Sequence, residues 1–285
     1  HTWEYCYDTN RPQKVDTPYT IDRMKEVMSN FFVESYVGNT PTHYYSGVEL
    51  ETATCASTDV AEVGFVGRTL LNAFNALEYG AQKNRTDLVT NANNIFDTYL
   101  QNGFSPAGFF NEVVHYNRDF KEPIHSIRRQ SEGVYAVLNY LNYEKQQGRK
   151  HPEWEKRMKS MLDTFLRLQN PDGSFPRKFK DDFSIVDASG GSTPSATLPL
   201  VMASKYFKDK RYLASAKRTA DYLEKELISK SDYFSSTLDA NCEDKEASLY
   251  AATATYYLAL ATKGAERAHY ADLSKKAAYF ALSWY

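Results

Sequence analysis

A chain of 285 residues with 42% hydrophobic content can bury one large core or two small ones. Its formal net charge of −2 leaves no basic excess for a nucleic-acid face. No apolar run approaches the ~20 residues that a membrane-spanning helix requires.

Residues 1–20 are expected to form an extended N-terminal segment. From there on, apolar positions recur at helical spacing almost throughout. A first helix over residues 21–36 places Met24, Val27, Met28, Phe31 and Phe32 on one stripe. A second, over 58–79, has Thr58 or Asp59 as its cap, Glu62 placed for a capping box and Gly80 as its stop. Gly64 and Gly67 then fall inside a helix, where close packing accounts for them. The pattern returns over 86–100 with Leu88, Ala92, Ile95, Phe96 and Tyr99. Residues 126–145 pair with 152–168, where Pro152 suits the first turn because its missing N–H costs nothing there. Residues 193–207 pair with 210–228 across Lys208 and Asp209, and 241–262 pair with 266–285.

Within each pair the first helix is small and apolar, as in Ala247, Ala251, Ala252, Ala254 and Ala259, and the second carries charge, as in Lys217, Arg218, Glu224, Lys225 and Glu226. The first is therefore an inner helix and the second an outer one. Long connections (37–57, 102–125, 170–192, 229–240) alternate with tight turns near Gly80, Gly148, Asp209 and Gly264. This is a repeat of helical hairpins stacked side by side. The long connections all open onto the N-terminal ends of inner helices, which carry unpaired N–H groups and partial positive charge. Asp59, Glu132 and the acidic run at 239–246 are expected to converge on that rim.

Two segments, 166–175 (LRLQNPDGSF) and 195–223 (SATLPLVMASKYFKDKRYLASAKRTADYL), resemble the α/α-toroid carbohydrate-active enzymes, a helical barrel common among glycoside hydrolases and polysaccharide lyases. In such toroids a helix commonly ends in Q-x-x-D-G-S-aromatic, and an inner helix is followed by a KYL..A.R.ADYL outer helix. The resemblance spans residues 58–285 and implies an all-α fold, an α/α toroid, read as a single domain over 1–285. A closed toroid needs more helices than are read here, so the ring is expected to be incomplete within the chain. The first residue, His1, is read as the start of a mature, tagged or excised form, and the uncapped amphipathic run at Tyr285 as part of a longer polypeptide with additional domains. A secreted or periplasmic location is expected with the glycan chemistry.

Glycoside hydrolysis needs one protonated and one ionised carboxyl group, ~5–9 Å apart across the bond. The densest acidic run, 237–246 (TLDANCEDKE), holds Asp239, Glu243, Asp244 and Glu246. Crowding of carboxylates in a cleft suits an acid, while the same residues at a helix start also serve as caps. In 125–132 (HSIRRQSE), Arg128 and Glu132 either pair on the helix surface or face the site. Two arginines at a helix start oppose its dipole and ask for an anion such as a uronate, which an Arg fork recognises. The catalytic candidates are Asp244 or Glu246 with Glu132 or Asp59. The substrate-binding candidates are Arg128, Arg129, His115, Tyr116, Asp239 and Arg177, with Tyr44 and Tyr45 as a stacking platform or as packed loop rings. Arg68 is read as neutralising a buried carboxylate such as Glu62.

Several toroid lyases use an Asn, His, Tyr and Arg set, and 109–119 (FFNEVVHYNRD) holds those types, with His115 and Tyr116 as the proton movers. The alternatives to a hydrolase are therefore a lyase acting by β-elimination and a non-catalytic glycan-binding or scaffold module. There is no HExxH, P-loop or GxSxG motif, and the six histidines lack metal-ligand spacing. No cofactor and no metal is expected, with calcium on loop carboxylates left open. The expected partner is an oligo- or polysaccharide, without nucleic acid or membrane insertion. Cys6, Cys55 and Cys242 form no zinc motif, and Cys55 and Cys242 could pair or stay free.

Overall fold

Four pairs of amphipathic segments fold as four antiparallel hairpins. This is seen in a computed structural model that describes residues 2–11, 16, 18–38, 42–44, 48–49, 56–57, 60–64, 68–115, 123–234 and 242–284. The inner helices are α3 (Thr69–Lys83), α5 (Ile127–Gln146), α7 (Thr193–Phe207) and α9 (Lys245–Ala261). Their outer partners are α4 (Thr86–Asn102), α6 (Pro152–Leu168), α8 (Lys210–Tyr222), extended by a π-helical turn at Leu223–Ile228, and α10 (Gly264–Leu282). Two further helices precede them, α1 (Thr2–Asn10) and α2 (Ile21–Glu34). Residues 2–10 are therefore helical, where the sequence suggests an extended segment.

Inner helices pack in chain order, α3 on α5, α5 on α7 and α7 on α9. On α9 the alanines do face neighbours, with Ala247, Ala251, Ala254 and Ala259 buried, but Leu249, Tyr256 and Leu260 on its other side are exposed. The described hairpins thus form an arc. Met24, Val27, Met28 and Phe31 of α2 are also exposed, and α2 reaches the core only through Phe32 and Val33. The core itself is aromatic where α4, α5 and α6 meet. Phe96 stacks on Tyr140 at 3.9 Å, and Trp154 meets Phe96, Phe104 and Phe110 at centroid distances of 6.2, 5.9 and 6.5 Å.

The long connections are not structureless. They hold short antiparallel pairs: β1 (Tyr36–Val37) with β2 (His43–Tyr44), β3 (Val48–Glu49) with β4 (Ala56–Ser57), and β5 (Val60–Glu62) with β6 (Val113–His115). A three-stranded sheet joins β7 (Ile124–Ser126), β8 (Lys178–Lys180) and β9 (Ile185–Asp187). The largest departure from the sequence reading lies here. The helix expected from residue 58 begins at Thr69, because Val60–Glu62 pairs with Val113–His115 in register Val60↔His115. Pairing with a strand that is distant in sequence outweighs a local helical pattern here. At its far end α3 runs past Gly80 and stops at Asn84, in the left-handed region with φ 56°. Gly80 serves close packing instead, since a Cβ there would stand 2.9 Å from Leu88 Cβ.

The Q-x-x-D-G-S motif acts as a structural clasp. Asp172 accepts from the Ser174 amide at 2.9 Å, and Gly173 takes φ +91° with its α-carbon against the Arg218 carbonyl. Gln169 donates to the Ser215 carbonyl and to Thr219 Oγ1, both at 3.0 Å, so the end of α6 is tied to α8.

Candidate active site

The β5–β6 pair and the β7–β9 sheet together aim the start of α5. Ser126 caps that helix, accepting from the Arg129 amide at 3.2 Å. Behind the cap lies Glu112, a fully buried carboxyl that accepts from the Ser126 amide at 2.5 Å and from Gln130 Nε2 at 2.9 Å. Burial pushes Glu112 up to about 7, against Gln130, Arg129 and Ser126, which favour its charged form. Gln130 also bonds both the amide and the carbonyl of Phe110, each at 2.9 Å. These contacts leave the first turns of α5 little freedom.

Four inner helices enclose a cavity of about 370 Å³ at their N-terminal halves. Its walls include Arg68 and Leu71, then Ser131, Glu132 and Tyr135 from α5, and Pro194, Ser195 and Leu198 from α7. Glu246, Leu249, Tyr250 and Thr253 of α9 close it. Glu132 is nearly buried, and its oxygens meet Arg68 at 3.5 Å, Arg128 at 3.4 Å and the hydroxyl of Tyr250, which donates to it. Arg128, 1% exposed, also holds Glu246 at 2.9 Å, and its guanidinium lies 5.2 Å from the centroid of the Tyr250 ring. One planar cation therefore touches both carboxylates. Burial works against the Arg128 charge, but Tyr250, Glu132 and Glu246 outweigh it and raise its pKa, so the cation is permanent. Burial, reinforced by Glu132, keeps the Tyr250 phenol protonated far above its ordinary range.

The expected site residues divide accordingly. Glu132 and Glu246 meet in the cavity, as their places on the inner rim imply. Arg128 and Arg129, expected to bind substrate, lie beneath the cavity wall. Arg129 pairs with Glu62 at 3.3 Å and approaches Glu112 at 3.9 Å, clamped by the β5–β6 pair. Arg68 therefore meets Glu132 rather than Glu62, and with its side chain 38% exposed it is the guanidinium that lines the cavity. Asp244 caps α9, accepting from the Glu246 amide at 2.8 Å, and is not part of the cavity wall. Arg177 is nearly buried and bonds Asp187 through Nε at 2.7 Å and a terminal nitrogen at 2.6 Å, away from the cavity. Burial raises the Asp187 carboxyl, but donors from Ser189 and Arg177 prevail and hold it below the usual range. Tyr44 is 2% exposed and packs on Phe32 at 5.2 Å, so it is core and not a sugar platform. Asp59, Tyr45, Tyr116, Asp239 and Cys55 lie outside the described residues, as does the side chain of His115. Cys242 is an exposed free thiol. Among the described residues no group of His, Cys, Asp and Glu could hold a metal ion.

Tyr250 and Tyr135 escaped the sequence reading although the signal was present. Tyr250 stands four residues after Glu246, and Tyr135 three after Glu132, so each shares its carboxylate's helix face.

No known family model matches the sequence, and it matches none of the curated proteins. Solved structures do match in shape. A D-mannose isomerase superposes with TM-score 0.67 at 11% identity, over 94% of this chain and 72% of its own. A cellobiose 2-epimerase from Bacillus thermoamylovorans gives 0.66 at 14%, over 90% and 70%. An unsaturated glucuronyl hydrolase from Bacillus sp. GL1, described as responsible for the degradation of glycosaminoglycan, gives 0.57 at 14%, over 73% and 59%. The fold is an α/α toroid. This chain spans 59% of the glucuronyl hydrolase's length. The cavity of this chain, with Glu132 and Glu246, lies at the N-terminal halves of its inner helices.

Proposed function

We propose that this toroid is a glycoside hydrolase acting on an oligosaccharide that bears an acidic sugar. The observation that carries the reading is Glu132 and Glu246 held by one buried guanidinium at the wall of a single cavity. Such a pair can protonate a glycosidic oxygen and stabilise or attack the anomeric carbon. Leu71, Pro194, Leu198 and the rings of Tyr135 and Tyr250 offer apolar surface for a sugar face. Arg68 supplies a charge for a uronate carboxylate. The likeness to a glucuronyl hydrolase supports a uronate-containing glycan as substrate.

The test is incubation with a panel of uronic-acid and neutral oligosaccharides, with products analysed by mass and for new carbon–carbon double bonds. Shorter sugars with an added water are expected. Both E132Q and E246Q should lose ~10²-fold or more in turnover, as expected for groups that move a proton in the transition state. Unsaturated products would make the protein a lyase, and an epimer of unchanged mass would make it an isomerase. Binding without any product would leave a glycan-binding module.

A further inference from the structure

The two carboxylates are not equivalent. Glu132 is close to full burial and is contacted by Arg68, Arg128 and the Tyr250 hydroxyl. Glu246 has its side chain 41% exposed at the cavity wall and meets Arg128. Around Glu132 stand titratable or charged groups from three elements: Arg68 ahead of α3, Tyr135 and, beneath the wall, Arg128 on α5, and Tyr250 and Glu246 on α9. The wall from α7 is Pro194, Ser195, Leu198 and Pro199, which carry no charge. The space beside Glu132 is also closed on the side of β5, since a Cβ on Gly64 would stand 2.5 Å from Glu132 Oε2.

We propose that Tyr250 is a positioning residue that dedicates Glu132 to the role of fixed anion and leaves Glu246 as the proton donor. The inference rests on the hydrolase reading above. A carboxylate whose oxygens already receive a phenol and lie beside two guanidinium groups is oriented and charge-stabilised, which suits it to face the developing positive charge at the anomeric carbon. Its phenol partner cannot take the place of the acid, because burial and Glu132 itself hold the Tyr250 proton in place. Glu246 reaches water and can exchange its proton between turnovers. In the reaction the glycosidic C–O bond breaks as Glu246 delivers its proton to the leaving oxygen. The cationic carbon left behind faces Glu132, and water completes the hydrolysis and returns a proton to the pair.

Two measurements on the full chain test this. In the first, the Glu132 side-chain carboxyl is followed by carbon NMR in protein carrying 13C-labelled glutamate, in the parent and in Y250F. The substitution keeps the ring beneath Arg128 and removes only the hydroxyl. Glu132 is expected to take up its proton at higher pH in Y250F, because the lost hydrogen bond favoured the charged form. The acid limb of kcat/KM should move the same way, with kcat lower by roughly ten- to a hundredfold and KM little changed. An unaltered titration and an unaltered acid limb overturn the role of Tyr250, whatever the substrate proves to be.

The second compares 4-nitrophenyl uronides, whose leaving group needs no protonation, with the matching methyl uronides. E246Q is expected to keep most of its turnover on the nitrophenyl compounds and to lose ~10²-fold on the methyl compounds, while E132Q loses both. If E132Q is the variant spared, the roles are reversed and the assignment falls while the hydrolase reading stands. If the parent cleaves no glycoside of either series or of the oligosaccharide panel, the hydrolase reading falls and takes the assignment with it.

Discussion

Tyr250 donates its hydroxyl to Glu132 across 118 positions of sequence, while Arg128, one turn before Glu132, lies over the same phenol ring. Helices α5 and α9 do not touch as hairpin partners. They are brought to a common cavity by α7, which packs against both. The site is thus assembled from the rims of separate hairpins, and its chemistry depends on how those hairpins are spaced.

Arg128 is the residue whose loss should be felt most widely. Replacing it by Met leaves Glu132 and Glu246 facing one cavity without the cation between them. Removing one partner of a buried pair costs ~3–5 kcal/mol, and the lower end applies because Arg68 and Tyr250 still hold Glu132. Urea unfolding should show that loss, and turnover should fall together with it. A variant of unchanged stability would show that the pair is not energetically coupled.

Arg68 should govern charge selectivity rather than fold, since its side chain is 38% exposed and lines the cavity. Arg68→Gln is expected to raise KM for uronate-bearing glycans by about tenfold or more, a charge-assisted hydrogen bond contributing ~1.5–3 kcal/mol. KM for neutral glycans should stay within a factor of about two. Equal effects on both classes would count against a uronate contact.

Gly64 should not tolerate a side chain. A Cβ there would meet Glu132 Oε2 at 2.5 Å and Arg129 Cα at 2.9 Å, and the second of these is backbone. Gly64→Ala is expected to destabilise the protein by ~1–3 kcal/mol and to lower kcat by displacing Glu132. Thermal unfolding and single-substrate kinetics check both parts.

Glu112 makes stability depend on pH in an unusual direction for a carboxylic acid. Its folded-state value of about 7 lies above the ordinary 4.5, so the folded protein holds this proton more tightly than the unfolded chain. The stabilisation is full below about 4.5, is lost progressively as pH rises towards about 7, and is level beyond that. Comparing the parent with Glu112→Gln isolates this group: the unfolding free energy of the variant, measured in urea across that window, should lack the decline. Parallel slopes in the two proteins would refute it.

Much of the helical framework could be read directly. Pro152 at a first turn, the Lys208–Asp209 corner and the alanines of α9 specify their elements through local rules, and α6 and α7 begin and end where spacing places them. The start of α3 could not be read, because the strand at Val60–Glu62 exists only through its partner at Val113–His115. The apolar stripe of α2 was correctly identified as a stripe, yet its neighbours leave most of it in solvent. Among the residues that line the cavity, Glu132 and Glu246 could be placed there from their position at inner-helix starts. The part played by each arginine was not. Residue type says that a guanidinium seeks an anion, but Arg128 finds Glu246, Arg129 finds Glu62 and Arg177 finds Asp187.

By itself the sequence determined that the chain is helical, that its helices come in hairpins, and that acidic residues gather at one set of helix ends. Those properties follow from spacing along the chain, which obeys the period of the helix. Only the tertiary structure decided that Arg68 faces the cavity while Arg128 and Arg129 lie beneath it, and that Tyr250 completes the group around Glu132. Those choices depend on contacts between residues far apart in sequence, where the burial of one charge is permitted only by the arrival of its partner from another hairpin.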